Sequence, residues 1–423
     1  VRLETTVVEA AAQLGAARVA RVTLGRALLL AAPFLALALA TKLPSLAFDH
    51  REPDEVIYWT LARHLDDHGT YTLRGAPFLH KLSRRMYDRP LFHHPPLYPA
   101  LLIPFERREL RSEAVAISWV GHGLAILAVA WIGAILHARY GGAASVWAAL
   151  ALPLLGAALD PVFVHASRKL WIDALVGGLA SFAVALTLAS TAGGRRRRAG
   201  LIAAGMTLGL AGLAKLPGLL VAPVCAGLVL ARPARGHERF GDLVCLAVPA
   251  ALVVAPWFAV FYATYGTLFA SWNAPDAAIV ARFPMVAASM QKAPGFFAAK
   301  LAIIQPLLFV ALAAFAWRPR PGERRSGEAW AMLAWLLGVG AALTVASAAS
   351  FGFQTRYLTP LCAALYALPL ACPAWYRPPS ALPLRAAAAL AIGWAALGAA
   401  PYLTNGRPDE FFGLAERLGL LGP

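Results

Sequence analysis

Residues 27–55 read ALLLAAPFLALALATKLPSLAFDHREPDE, and the change of character at Phe48 decides how the rest of the chain is read. The run 27–47 has the length needed to cross a bilayer core, which takes about 20 mainly apolar residues. It is too long for the core of a signal peptide and no small-residue cleavage site follows it, so a permanent helix is expected. From Phe48 the chain turns polar and stays so to residue 112, the only long polar segment between apolar runs. An apolar stretch at each end pins this loop to the membrane surface.

Working outward, the same apolar signature returns. Of the 423 residues 59% are apolar, and the mean hydropathy of +0.62 places the chain among polytopic membrane proteins. About 11 spans are expected, centred on 27–47, 114–136, 143–160, 170–191, 199–214, 217–231, 243–263, 299–317, 329–349, 357–374 and 386–403. The expected fold class is therefore an all-α polytopic membrane protein, with short juxtamembrane helices in the first outer loop. Cys225, Cys245, Cys362 and Cys372 all fall inside expected spans and read as packing residues.

The formal charge of +16 does not point to nucleic acid, because the basic residues are sorted along the chain. With the N-terminus in the cytoplasm, eighteen of the 38 basic residues fall in short cytoplasmic segments, Arg195 to Arg198 among them, as the positive-inside rule requires. The 48–112 loop carries ten of its own, which long translocated loops tolerate. This orientation divides the chain into a cytoplasmic amphipathic lead-in (1–26), a transmembrane domain (27–403) with outer loops at 48–112 and 264–298, and a short outer tail (404–423). No soluble domain and no internal repeat is expected.

The polar clusters all fall on the outer side. Pro53 opens a helical pattern that places Asp54 and Glu55 in its first turn. His93 and His94 precede Pro95-Pro96, which are expected to hold an extended, rigid mount. Arg168, Lys169 and Asp173 crowd an outer boundary, with an i,i+4 salt bridge between Lys169 and Asp173 as a competing, purely structural reading. Lys215 stands at a Pro-Gly break, where a snorkelling lysine is the bland reading. Arg282 lies in the second outer loop, and Arg356-Tyr357 form a third outer turn. A transporter or lipid flippase, the runner-up class, would place ionisable groups near the bilayer midplane. Carboxylates facing cations at an interface point instead to an enzyme acting on an anionic lipid headgroup: a carboxylate takes a proton from an attacking hydroxyl while cations stabilise a departing phosphate. Paired histidines near two acids leave a divalent metal open, although the spacing matches no zinc signature.

Taken together, Pro53-Asp54-Glu55, His94-Pro95-Pro96-Leu97-Tyr98-Pro99, Ser167-Arg168 with Asp173-Ala174-Leu175, Leu213-Ala214-Lys215-Leu216-Pro217-Gly218 and Arg356-Tyr357-Leu358-Thr359-Pro360 resemble the protein mannosyltransferase and aminoarabinose transferase group. These are membrane glycosyltransferases of the C-type fold. The resemblance covers roughly residues 30–375. It implies a polyprenyl-phosphate-linked sugar donor, an inverting transfer on the outer face to a lipid, glycan or protein hydroxyl, and a loop aspartate, here Asp54, as the key catalytic group, with Glu55 as its partner acid. A lysine precedes the Pro-Pro pair in the aminoarabinose branch and contacts donor phosphate. Here that position is His94, a poorer phosphate partner, so the role passes to Arg356, Lys215 or Arg168. No cofactor is required on this reading; a metal-dependent oligosaccharide transferase of the same superfamily is the third alternative. The expected place is a cell membrane, the bacterial inner membrane, with the site on the periplasmic or extracellular side.

Overall fold

The computed structural model describes residues 22–48, 50–74, 89–141, 144–192, 196–268, 302–317, 325–350, 354–377 and 380–404, and among them all regular structure is helical. Helix α1 (Leu24–Ala40) starts where the Thr23 hydroxyl accepts from the Arg26 amide at 3.3 Å, and stops at Thr41. A 3₁₀ turn, Leu43–Ala47, then carries the chain into the polar loop. Helix α2 (Pro53–His68) begins as its sequence suggests, with proline in the first turn and a reciprocal capping box between Glu52 and Glu55. It ends at Gly69, whose φ of 62° is a left-handed cap that favours glycine. Helix α3 (Leu97–Glu106) packs back on α2.

Two long helices form the centre. Helices α4 (Ala116–Tyr140) and α7 (Ile172–Thr191) touch backbone to backbone, which only residues without a side chain permit: a Cβ on Gly121 would strike the Ala174–Leu175 peptide, and one on Gly178 the Gly121 carbonyl. Between them the chain bends by 45° from α5 (Val146–Ala158) into α6 (Pro161–Ser167). Pro161 cannot continue the α5 hydrogen-bond ladder, and Asp160 fills the break. One Asp160 oxygen accepts from the Phe163 amide at 2.8 Å; the other accepts from the Tyr366 hydroxyl at 2.7 Å and the Gln305 amide at 2.5 Å.

Helices α8 (Arg197–Ala214), α9 (Ala222–Leu230), α10 (Gly236–Tyr265) and α11 (Leu307–Ala316) follow. Helix α12 (Gly327–Ala334) runs through a π turn into α13 (Gly340–Ser350), then come α14 (Thr359–Leu370) and α15 (Ala381–Thr404). Every residue of α14 is buried, as befits an apolar helix surrounded by others. On the outside Leu29, Leu252, Leu382 and Leu390 are bare, the mark of helices that face lipid. The chain is an integral membrane protein.

Among the described residues five helices are long and apolar enough to span, and a sixth joins them if the bent pair counts as one. Hydropathy alone suggests about 11. The difference arises because 217–231 starts as a 3₁₀ turn, and the apolar runs around α11 and α15 give shorter helices by the same measure. The terminal segments 1–21 and 405–423, and with them most of the expected lead-in and tail, lie outside the described residues, as does nearly all of the 264–298 loop.

Charged side chains gather at the two ends of the bundle. At one end the Arg139 guanidinium and the Tyr140 hydroxyl both reach Glu328, and Arg197 and Arg232 share Asp242 at 3.1 and 3.0 Å. The other end holds Asp54, Glu55, His94, Arg168, Lys169, Asp173, Lys215 and Arg356.

Candidate active site

Helix α2 is docked by a core of its own. Ile57, Tyr58, Leu61, Tyr98, Leu102, Trp257 and Phe261 bury against one another, so the first-turn acids are fixed relative to α7 and α10. Glu52 caps the helix and Glu55 returns the favour, accepting from the Glu52 amide at 3.0 Å. Asp54 is therefore relieved of capping. It points into the site, about a third exposed, and its Oδ2 accepts from the Arg356 guanidinium.

Arg356 sits on a 3₁₀ turn, Thr355–Leu358, that opens α14. Its guanidinium lies 4.1 Å over the Trp171 ring, and its Nε is 3.5 Å from Asp173 Oδ2. Burial alone would lower its pKa, but the Asp173 and Asp54 charges outweigh that and raise it. Asp173 opens α7; its Oδ1 accepts from Lys215 Nζ at 2.9 Å, and its backbone carbonyl accepts from the Thr359 hydroxyl at 2.7 Å. Lys215 also lies 4.4 Å over the Tyr357 ring. Four elements far apart in sequence thus converge on an alternating row of charges: Asp54, Arg356, Asp173, Lys215.

Glu55 has a different setting from its neighbour. It is 1% exposed, and Oε1 lies 2.7 Å from His50 Nδ1 while accepting from the Leu170 amide at 2.9 Å. Burial opposes its ionisation, yet the His50 contact and the two backbone amides together hold its pKa down. The other ring nitrogen of His50 donates to the Ser45 carbonyl at 2.9 Å. Glu55 is a strut that ties the start of α2 to the linker before α7.

His94 lies 3.2 Å from the Tyr58 hydroxyl and 4.1 Å, ring to ring, from His93. Burial first, then the Lys215 and Arg356 charges, keep His94 well below the usual histidine range; burial, His94, Arg89 and Lys215 do the same to His93. Burial and then the Asp54 and Asp173 charges push the Tyr58 phenol up. Pro96 is not extended as expected: at φ −86° and ψ −2° it already leads into α3.

Lys169 and Asp173 do not pair with each other. The chain from Arg168 to Trp171 is not helical, because α7 starts only at Ile172, so the i,i+4 geometry never forms. Lys169 reaches back to Glu52 at 2.5 Å. Nor does Lys215 snorkel, being bound to Asp173. Arg282 lies outside the described residues. His50, Glu52, Tyr58 and Trp171 complete the site without having been singled out in the sequence, and Thr359, from the Arg356–Pro360 motif, joins them. Among the described residues no three His, Cys, Asp or Glu side chains converge as metal ligands would.

The fold is that of the C-type glycosyltransferases. ArnT from Cupriavidus metallidurans bound to undecaprenyl phosphate aligns with a TM-score of 0.52 at 21% identity, over 80% of this chain and 59% of that one. Its apo state aligns with a TM-score of 0.51, also at 21% identity, over 80% of this chain and 58% of that one. The chain thus spans about three fifths of the length of these proteins. An oligosaccharyltransferase from Archaeoglobus fulgidus aligns at 17% identity with a TM-score of 0.48, over 87% of this chain and 53% of that one. No protein-family model matches the chain, and no curated protein sequence matches it.

Proposed function

We propose that the protein transfers a sugar from a polyprenyl-phosphate-linked donor to a hydroxyl acceptor at the outer membrane face, with inversion and with Asp54 as general base. The observation that carries this reading is the meeting of Asp54 with Arg356, Asp173 and Lys215 at one end of a lipid-facing bundle. Asp54 takes the proton of the acceptor hydroxyl. The oxygen attacks the anomeric carbon from the side opposite the phosphate, and the sugar–phosphate bond breaks with its electron pair going to the leaving group. Arg356 and Lys215 stabilise the charge that appears there.

The Asp54 Oδ2 is engaged by the Arg356 guanidinium before any substrate arrives. The donor supplies the remedy, because its phosphate competes for the Arg356 guanidinium and releases Asp54 as it binds. Glu55, with both oxygens engaged, serves as a positioning residue. The ArnT structure with undecaprenyl phosphate supports a polyprenyl phosphate as the lipid partner. The full count of about 11 spans, with the short and broken apolar helices completing it, the outward orientation and the division at 27–403 belong to the same proposal.

Incubation of the purified protein with a panel of polyprenyl-phosphate sugars, with and without lipid and peptide acceptors, tests it. Sugar release or transfer with at least one donor is expected. Silence across a panel that binds to the protein would refute it.

A further inference from the structure

The C-terminal end of α2 carries two histidines that the active site does not use. His64 and His68 stand four residues apart in one helix, so they share a face of it, and their ring centres lie 6.0 Å apart. His64 comes ten residues after Asp54, about 15 Å along the helix axis, which puts the pair well outside the row Asp54, Arg356, Asp173 and Lys215.

The two rings are presented differently. His64 is half-buried, and its Nδ1 lies 2.7 Å from the Thr72 carbonyl. A carbonyl only accepts, so Nδ1 carries the proton and the lone pair is left on Nε2. An Nδ1–H bond to a backbone carbonyl is the device that fixes the tautomer and orientation of a metal-binding imidazole. His68 is exposed and makes no hydrogen bond among the described residues, so its ring turns toward His64 without breaking one. Two imidazoles bound to one ion through metal–nitrogen bonds of about 2 Å have ring centres about 5 Å apart, so a shift of about 1 Å closes the pair.

The surroundings suit a cation. The end of a helix is the negative pole of its dipole, and the last turn of α2 holds no lysine or arginine. Arg63, next to His64, is held by Glu106 at 2.5 Å, and Asp67 is exposed beside His68. Gly69 then turns the chain away, with nothing within 4 Å of where a side chain would begin, and this leaves room for a hydrated ion.

We propose that His64 and His68 form a binding site for a borderline divalent transition metal, Zn²⁺, Cu²⁺ or Ni²⁺, with water completing its shell. Imidazole selects these ions over Mg²⁺ and Ca²⁺, which take oxygen ligands. Two protein ligands make a reversible site rather than a closed structural one. Metal on Nε2 makes the His64 Nδ1–H a stronger donor to Thr72, whose hydroxyl in turn donates to the Arg89 carbonyl at 2.6 Å. The Phe92 amide donates to the Tyr71 carbonyl at 2.7 Å. The ion therefore braces the end of α2 and, through these bonds, the stretch of chain that leads to His93 and His94. The site does not depend on the transferase reading.

The test uses the full chain in detergent, without a polyhistidine tag and stripped with chelator, and follows melting temperature against added ZnCl₂, with MgCl₂ as the hard-ion comparison. Zn²⁺ is expected to raise the melting temperature of the parent, increasingly with its concentration, and Mg²⁺ to leave it unchanged. His68→Gln removes an exposed ring with no hydrogen bond, so it should melt like the parent in chelator and need about 10- to 100-fold more Zn²⁺ for the same rise. His64→Gln should lose the response to the same degree, from a lower starting stability because the Thr72 bond goes with the ring. Cu²⁺ gives a readout that stability does not move: its electron paramagnetic resonance spectrum in the parent should carry nitrogen splittings that weaken in His68→Gln. A parent that does not respond to Zn²⁺, or responds equally to Mg²⁺, overturns the site. So does a parental Zn²⁺ response in His68→Gln, or one that is lost only in the His93→Gln/His94→Gln double variant, which would place the ion in the active site instead.

Discussion

Replacing Asp54 by asparagine separates chemistry from architecture at a single atom. The side chain keeps its shape, and the cap of α2 is untouched because Glu52 and Glu55 make it. What is lost is one charge facing Arg356. Asp54 is 34% exposed, so solvent screens that pair and its removal should cost at most about 1 kcal/mol of stability; Arg356 still has Asp173 beside it at 3.5 Å. A general base contributes about 10²- to 10⁴-fold, or about 3–5 kcal/mol of activation free energy. The expected result is thus a protein that extracts and melts like the parent, binds donor, and turns over at least about 100-fold more slowly. Glu55→Gln is the internal control. With its carboxylate buried against His50 and two amides, it should lose stability first, and turnover per folded molecule should fall less than in Asp54→Asn. The assay is single-turnover sugar transfer, normalised to folded protein. An Asp54→Asn protein that transfers at the parental rate refutes the reasoning, whatever its stability.

Arg356→Ala should weaken apparent donor affinity by about 1.5–3 kcal/mol if one charge-assisted bond to phosphate is lost, and an unchanged donor titration would remove Arg356 from that role. Gly178→Ala drives a methyl into the Gly121 carbonyl and should destabilise by about 1–3 kcal/mol; a parental melting temperature would show that α4 and α7 do not meet there. Acidification should destabilise from about pH 6.5 downward, because His93 and His94 are held below 6.5 in the folded chain and the unfolded chain takes up those protons first. The depressed Glu55 adds its loss only below about pH 4.5, and a His93→Gln/His94→Gln double variant should show a shallower decline in melting temperature between pH 7 and 5. A Gly75→Cys protein should react with an impermeant thiol reagent in intact cells; reaction only after the cells are opened would reverse the proposed orientation.

The sequence by itself determined the medium and the ingredients. Runs such as 27–47 are too long and apolar for anything but a helix in lipid, and that follows from solvent transfer alone, which is local and additive. The start of α2 was equally legible, since Pro53 followed by acids is a cap signal confined to one turn. The tertiary structure decided who meets whom. Lys169 and Asp173 sit four apart in sequence yet pair elsewhere, because the backbone between them is not a helix and Glu52, Lys215 and Arg356 stand closer. Asp54 and Glu55 are adjacent in sequence, but one faces Arg356 across the site while the other is sealed against His50, because successive residues on a helix point in directions about 100° apart. That Arg168 is left without a partner could not be read from composition either, since a chain with sixteen surplus positive charges offers no sign of which one is buried alone. Ion pairing is settled by distances of a few ångströms between elements separated by up to 302 residues, and only packing of the whole bundle fixes those distances.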